Sequence, residues 1–143
     1  MNKVHYMSNK DDWETPDDLF NALNEEYGFT VDVCATAHNK KLERYWSEKD
    51  QPLIRAWTNE VCWMNPPYGR KVTGEWVMKA YYESTAHNAL VVCLLPARTD
   101  TKWFHVYCTK GSQIHFIKGR LKFKGAKYSA SFPSMIVVFG HKN

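Results

Sequence analysis

No run of apolar residues in the 143-residue sequence reaches the roughly 20 that a helix needs to cross a bilayer, so a helical membrane span is not expected. Met1 to Asp12 is polar and lacks the apolar stretch of a secretory signal. None of the four cysteines, Cys34, Cys62, Cys93 and Cys108, forms a CxxC pair, which excludes a zinc ribbon or a dithiol redox motif. Cys34 and His38 have a chelating spacing, but no second pair accompanies them, and no metal site is expected. Cys62 and Cys93 sit in apolar runs and read as buried thiols of a cytosolic protein. Internal repeats, low-complexity tracts and linkers are all missing. The chain therefore reads as one domain, 1–143, with 1–12 as a flexible arm.

What is present is enough for a core: 44% of residues are hydrophobic and 15% aromatic. The net charge of +4 favours a polyanionic partner without requiring one. Much of the positive charge comes late, at Lys118, Arg120, Lys122, Lys124 and Lys127. Basic residues at alternate positions from Lys118 to Lys124 predict one face of a strand, either a nucleic-acid face or a lysine-protected edge.

Strand and helix signals alternate along the chain. Thr15-Pro16-Asp17-Asp18 predicts a helix start, with Thr15 as cap, Pro16 in the first turn and two acids facing the dipole. Leu19, Phe20, Leu23 and Tyr27 share one face, and Gly28 ends the helix. Phe29–Cys34 predicts a short strand. Thr36–Ala56 predicts loop and short helix, anchored by Tyr45, Trp46, Leu53 and Ile54. Val61–Met64 predicts a buried strand stopped by Pro66 and Pro67, and a helix is expected over Val72–Thr85. The fully apolar Ala89–Leu95 has the character of a central parallel strand. Thr99-Asp100 predicts a cap for a helix carrying Trp103, Phe104 and Tyr107. Strands are expected at Ile114–Ile117 and Met135–Phe139, with Gly119 turning the chain into Arg120–Phe123. The alternation gives an α/β class with a mostly parallel sheet, its last two strands forming an antiparallel hairpin at one edge.

In such a sheet, ligands gather beyond the carboxyl ends of the strands. Three unusual segments fall there: Asp32-Val33-Cys34-Ala35, Asn65-Pro66-Pro67-Tyr68, and Pro96 to Asp100. The second is the most informative. An amine conjugated into an aromatic ring is a poor nucleophile. Two acceptors on its two N–H groups localise its lone pair. The Asn65 side-chain carbonyl and the Pro66 main-chain carbonyl suit that task, held by a turn that two prolines stiffen. Tyr68 offers a ring for stacking on a base. Asp32 is placed to bind an ammonium or a ribose hydroxyl. Asp50 is placed to accept from an adenine amine, or is a solvated acid. Arg98 is a candidate phosphate ligand, or pairs with Asp100.

With these residues in order, the chain resembles the phage-type DNA N6-adenine methyltransferases. The resemblance runs through Trp13-Glu14-Thr15-Pro16, Asp32-Val33-Cys34-Ala35, Asn65-Pro66-Pro67-Tyr68, Leu94 to Phe104, and Gly119-Arg120-Leu121-Lys122-Phe123. It implies a reduced, Rossmann-like methyltransferase fold and transfer of a methyl group from S-adenosylmethionine to the N6 amine of adenine in DNA. It places Trp13, Thr15, Pro16, Asp32, Cys34, Ala35 and Asp50 at the cofactor. It places Asn65, Pro66 and Tyr68 at the target adenine, and Pro67, Arg98, Lys122 and Lys124 on the substrate. The usual purpose in this family is shielding phage DNA from restriction, which places the protein in the host cytoplasm. The loop after Asp32 departs from the wider superfamily in having no glycine. There is also no room for a separate target-recognition domain, so selectivity would rest on short loops or a homodimer, or be slight. The alternatives are a non-catalytic nucleic-acid-binding module on a degenerate methyltransferase fold, or a methyltransferase for RNA adenine or protein glutamine.

Overall fold

The computed structural model describes residues 13–142; the arm expected at 1–12 lies outside them. The described chain folds into a five-stranded sheet with three α-helices. The strands are β1 (Val31–Asp32), β2 (Val61–Met64), β3 (Leu90–Pro96), β4 (Gln113–Phe116) and β5 (Ser134–Phe139). Their spatial order is β1-β2-β3-β5-β4. The β1–β2 and β2–β3 pairings are parallel. β5 lies between β3 and β4 and is antiparallel to both. The sheet is thus mixed rather than mostly parallel, although β1 to β4 all run the same way. The antiparallel pair at one edge is present, as β4 with β5.

β3 and β5 are apolar at consecutive positions because both faces of the sheet are covered. Val91, Cys93, Leu95, Met135, Val137 and Phe139 pack on one face with Trp76, Val77 and Ala80 of α2 (Val72–Ala86) and Trp103 and Phe104 of α3 (Lys102–Val106). Leu90, Val92, Leu94, Ile136 and Val138 pack on the other with Phe20 of α1 (Asp17–Tyr27) and with Phe123 and Phe132. Alternation along each strand sends neighbours to opposite cores.

α1 ends as expected: Gly28 adopts φ 67° and its N–H donates to the Asn24 carbonyl. Its start is different. Pro16 is the cap residue and no side chain caps the helix, because the Thr15 hydroxyl is engaged elsewhere. α3 is capped by Thr101, which accepts from the Phe104 N–H, and not by Thr99-Asp100. The first strand covers only Val31–Asp32, and residues 44–46 run beside it, with Asp32 and Trp46 bonded main chain to main chain. Trp46 anchors that segment against Trp57, whereas Ile54 is exposed.

Residues 117–133 form no strand. The alternation expected of an edge strand survives without one. Lys118, Arg120, Lys122 and Lys124 are exposed while Phe123 is buried between Trp13 and Tyr68. Aromatic anchoring holds this segment over the second sheet face, so a ladder of hydrogen bonds is not needed to fix it.

Candidate active site

β1, β2 and β3 run in parallel, so their carboxyl ends deliver Asp32, Asn65 and Pro96 to one edge of the sheet. A cleft opens there. It is lined by Trp13, Thr15, Asp32, Cys34, Ala35, Asn65, Pro66 and Pro67, with Glu14, Asn39, Lys41 and Trp63. Eight of the expected site residues therefore meet in one place, drawn from three distant stretches of chain.

Asn65 follows β2 directly. Its Nδ2 donates to the Trp13 main-chain carbonyl at 2.6 Å and to the Thr15 hydroxyl at 3.0 Å. The carbonyl can only accept, so the amide orientation is determined: the nitrogen faces Trp13 and the oxygen faces away. That oxygen, Oδ1, is buried and has no hydrogen-bond partner among the described residues. Leaving an acceptor in this state costs on the order of 1–3 kcal/mol, so an incoming donor is favoured. Among the described residues no group donates to the Pro66 carbonyl either. The turn itself is held by Thr73 of α2, whose hydroxyl donates to the Pro67 carbonyl at 2.9 Å and accepts from the Gly69 N–H at 3.0 Å. Nothing in the sequence singles out Thr73; its role depends on α2 starting three residues after Gly69.

Asp32 is 2% exposed. Its two carboxylate oxygens accept from the Cys34 N–H at 3.3 Å and the Lys41 N–H at 3.0 Å. Burial pushes its carboxyl up to about 7, and those two N–H groups and the Lys41 charge only partly offset the burial. These contacts also explain the glycine-free loop. Asp32 gathers residues 33–41, and Thr36 and Asn39 exchange hydrogen bonds within it. No residue from Val33 to Lys41 has positive φ, so no glycine is required. Lys41 belongs to no motif that the sequence displays. Its ammonium reaches Asp17 at 2.9 Å and Glu14 at 3.7 Å, closing the cleft wall.

Other expected site residues are placed differently. Tyr68 is buried, its hydroxyl donates to the Leu94 carbonyl at 3.0 Å, and its ring meets Phe123 and Phe132 edge to face. Burial holds its phenol protonated. It borders a second hollow with Gly69, Arg70, Thr73, Arg98, Thr101 and Trp103. Arg98 stands over the Phe132 ring rather than in the first cleft. Pro16 is absent from the cleft wall, and its carbonyl serves α1. Asp50 is not among the residues that line the cleft, and its carboxylate accepts from the Ser47 N–H and hydroxyl to cap a short 3-10 turn. Lys122 is solvent-exposed, and Lys124 pairs with Asp17 at 3.1 Å. Cys62, Cys93 and Cys108 are buried, and burial raises all three thiols, Cys108 to about 12.

A family model described as DNA N-6-adenine-methyltransferase (Dam) matches residues 4–140. The chain is also similar to two phage proteins that bear the name DNA N-6-adenine-methyltransferase. One, from Haemophilus phage HP1 (strain HP1c1), is 34% identical over 112 residues, covering 77% of this chain and 64% of that protein. The other, from Escherichia phage T1, is 32% identical over 114 residues, covering 78% of this chain and 47% of that protein. A putative methyltransferase of Escherichia coli (strain K12), YfdM, is 31% identical over 65 residues, covering 41% of this chain and 71% of that protein. This chain thus spans about half to two thirds of the length of the two phage relatives. With the family model matched from near one end to near the other, the chain belongs to the DNA N-6-adenine-methyltransferase (Dam) family.

Proposed function

We propose that this chain transfers a methyl group from S-adenosylmethionine to the N6 amine of adenine in DNA. The observation that carries the reading is the buried, unpartnered Oδ1 of Asn65, fixed in orientation at the end of β2. An exocyclic amine has two N–H groups to give. Asn65 Oδ1 accepts one and the Pro66 carbonyl accepts the other, which draws the lone pair out of the ring. The turn is rigid in advance, so these acceptors need no rearrangement at the moment of transfer.

The residues of the cleft fit S-adenosylmethionine, since a buried carboxylate at the end of β1 suits its cationic methionine end. Trp13, Asp32, Cys34 and Ala35 would hold it. Once bound, it supplies a methyl group already activated on a cationic sulfur, so little acid catalysis is asked of the protein. The sheet order and the cleft at the strand ends support a reduced Rossmann-like fold for this task.

The DNA face is the segment 117–133. It carries five basic residues and no acidic one, while the rest of the chain has fourteen basic and fifteen acidic residues. Phe123 and Phe132 tie it to Trp13 and Tyr68 beside the cleft. Phosphates drawn to Lys118, Arg120, Lys122 and Lys127 would bring a flipped base to Asn65. Arg70 and Arg98, around the second hollow, extend this surface.

The test is methyl transfer from labelled S-adenosylmethionine to unmethylated DNA, with the digested nucleosides identified by mass. N6-methyladenine is expected. Asn65→Ala should reduce it roughly 100-fold or more while cofactor affinity stays within about twofold. Label in RNA or in a protein glutamine, with none in DNA, would replace the acceptor. No cofactor binding at all would leave the nucleic-acid-binding module.

A further inference from the structure

The family resemblance puts Thr15 at the cofactor. Its geometry serves a different atom. The side chain is 1% exposed, and its hydroxyl accepts from Asn65 Nδ2 at 3.0 Å. Beside it, the Trp13 carbonyl accepts from the same nitrogen at 2.6 Å. A primary amide has two N–H groups, and here both are engaged by one short segment of chain. The opposite edge of the amide, Oδ1, is the unpartnered buried acceptor.

We infer that the segment Trp13–Thr15 is the positioning element for Asn65, with the Thr15 hydroxyl as its side-chain component. An asparagine amide is nearly symmetric in shape and turns about its last bond at little cost. Turned by half a revolution, it would present N–H groups toward the site. It would then repel an amine donor instead of receiving it. The two acceptors of residues 13 and 15 prevent this. The Trp13 carbonyl opposes the turned amide by facing its oxygen. The Thr15 hydroxyl holds the second N–H and so keeps the amide plane from tilting.

The segment is itself fastened. The Glu14 carbonyl accepts from the Lys124 N–H at 2.8 Å. The Trp13 ring lies 5.3 Å from Phe123 and 5.2 Å from Phe132, centroid to centroid. Lys124 reaches Asp17 at 3.1 Å and Glu14 at 3.8 Å. The first described residues of the chain and the basic segment near its end therefore hold the amide together, from outside the strand that carries it. Thr15 is a positioning residue: it acts through Asn65 and needs no contact with either substrate.

The kinetic part of this inference rests on the proposed methyl transfer; the structural part does not, and two measurements keep them apart. The first is the Asn65 side-chain amide signal in a 15N-labelled protein, assigned by its disappearance in Asn65→Ala. Thr15→Val keeps the shape of the side chain and removes the hydroxyl. It should move that signal pair and speed its exchange with solvent, and Thr15→Ser should return both. An unmoved signal in Thr15→Val overturns the inference whether or not the protein methylates DNA. The second is transfer to DNA. Thr15→Val should lower kcat roughly tenfold, a loss of about 1.4 kcal/mol in the transition state. The Kd for S-adenosylmethionine should stay within about twofold, and Thr15→Ser should restore kcat. A Kd that weakens in proportion to the rate would return Thr15 to the cofactor and sink the positioning role. Should Thr15→Val fold poorly, Thr15→Ala carries the same two readouts. Wild-type protein that makes no N6-methyladenine while the amide signals respond as expected would refute the proposed reaction and leave the positioning intact.

Discussion

At the residue scale, Asp32 has the most testable chemistry. Its carboxyl is raised to about 7 by burial, from a value near 4 in the unfolded chain. The folded protein therefore holds a proton that the unfolded chain has lost between those values. Stability should fall as pH rises from about 4 to about 7, by up to roughly 4 kcal/mol for this group alone, and level off above. Chemical denaturation at a series of pH values reads this directly, and Asp32→Asn should flatten that part of the curve. Binding has the opposite sign. A cationic ligand beside Asp32 favours the ionised form, so affinity for S-adenosylmethionine should strengthen as pH rises through about 7. Calorimetry on Asp32→Asn should show weak binding with little dependence over the same range. Strong, pH-independent binding by that variant would remove Asp32 from the cofactor site.

Asp32 and Asn65 are legible in the sequence because each is a polar residue at the end of a short apolar strand, where an α/β sheet places its ligands. Tyr68 is only half legible. Its identity marks the motif, but whether a ring stacks on a base or packs inward depends on Phe123 and Phe132, more than fifty residues on. Asp50 is the least legible, because a carboxylate three residues after Ser47 forms a capping box as readily as it meets a ligand, and here it forms the capping box.

At the scale of elements, the Asn-Pro-Pro-Tyr turn is held as much by the helix after it as by its prolines. Thr73→Val should leave the Gly69 N–H and the Pro67 carbonyl without their side-chain partner. That should cost about 2 kcal/mol, or roughly 4–8 °C in Tm, by thermal denaturation. The basic segment 117–133 offers a second test. Lys122→Glu should weaken DNA binding and flatten its salt dependence by about one unit of slope for each phosphate no longer neutralised, with little effect on cofactor affinity. Lys124→Glu should differ, because its ammonium already pairs with Asp17. It should loosen the segment that holds Asn65 and lower transfer even at saturating DNA. Helix and strand positions for most of the chain can be read from apolar periodicity, but not at 117–133. There, alternating lysines have the pattern of a strand but are set by two buried phenylalanines instead.

On the scale of the whole molecule, the α/β class is readable because β2, β3 and β5 are apolar at both odd and even positions, which only a sheet covered on both faces requires. The mixed topology is not. A strand's direction depends on where the chain crosses over. Nothing local to Ser134–Phe139 announces that it inserts between β3 and β4. Charge is also unevenly shared. The surplus that makes the protein basic lies wholly in 117–133, so its DNA face would be set by one segment and not by the fold as a whole.

The bond between Glu14 and Lys124 has a temporal meaning as well. A chain leaving the ribosome contains the residues of β1, β2 and the Asn-Pro-Pro-Tyr turn well before residue 124 is made. The acceptors that align Asn65 are fastened only after that point. A product stopped short of residue 124 would carry the turn without the bond that fastens the acceptors of Asn65, and one stopped short of 134 would also lack the strand that joins β3 to β4.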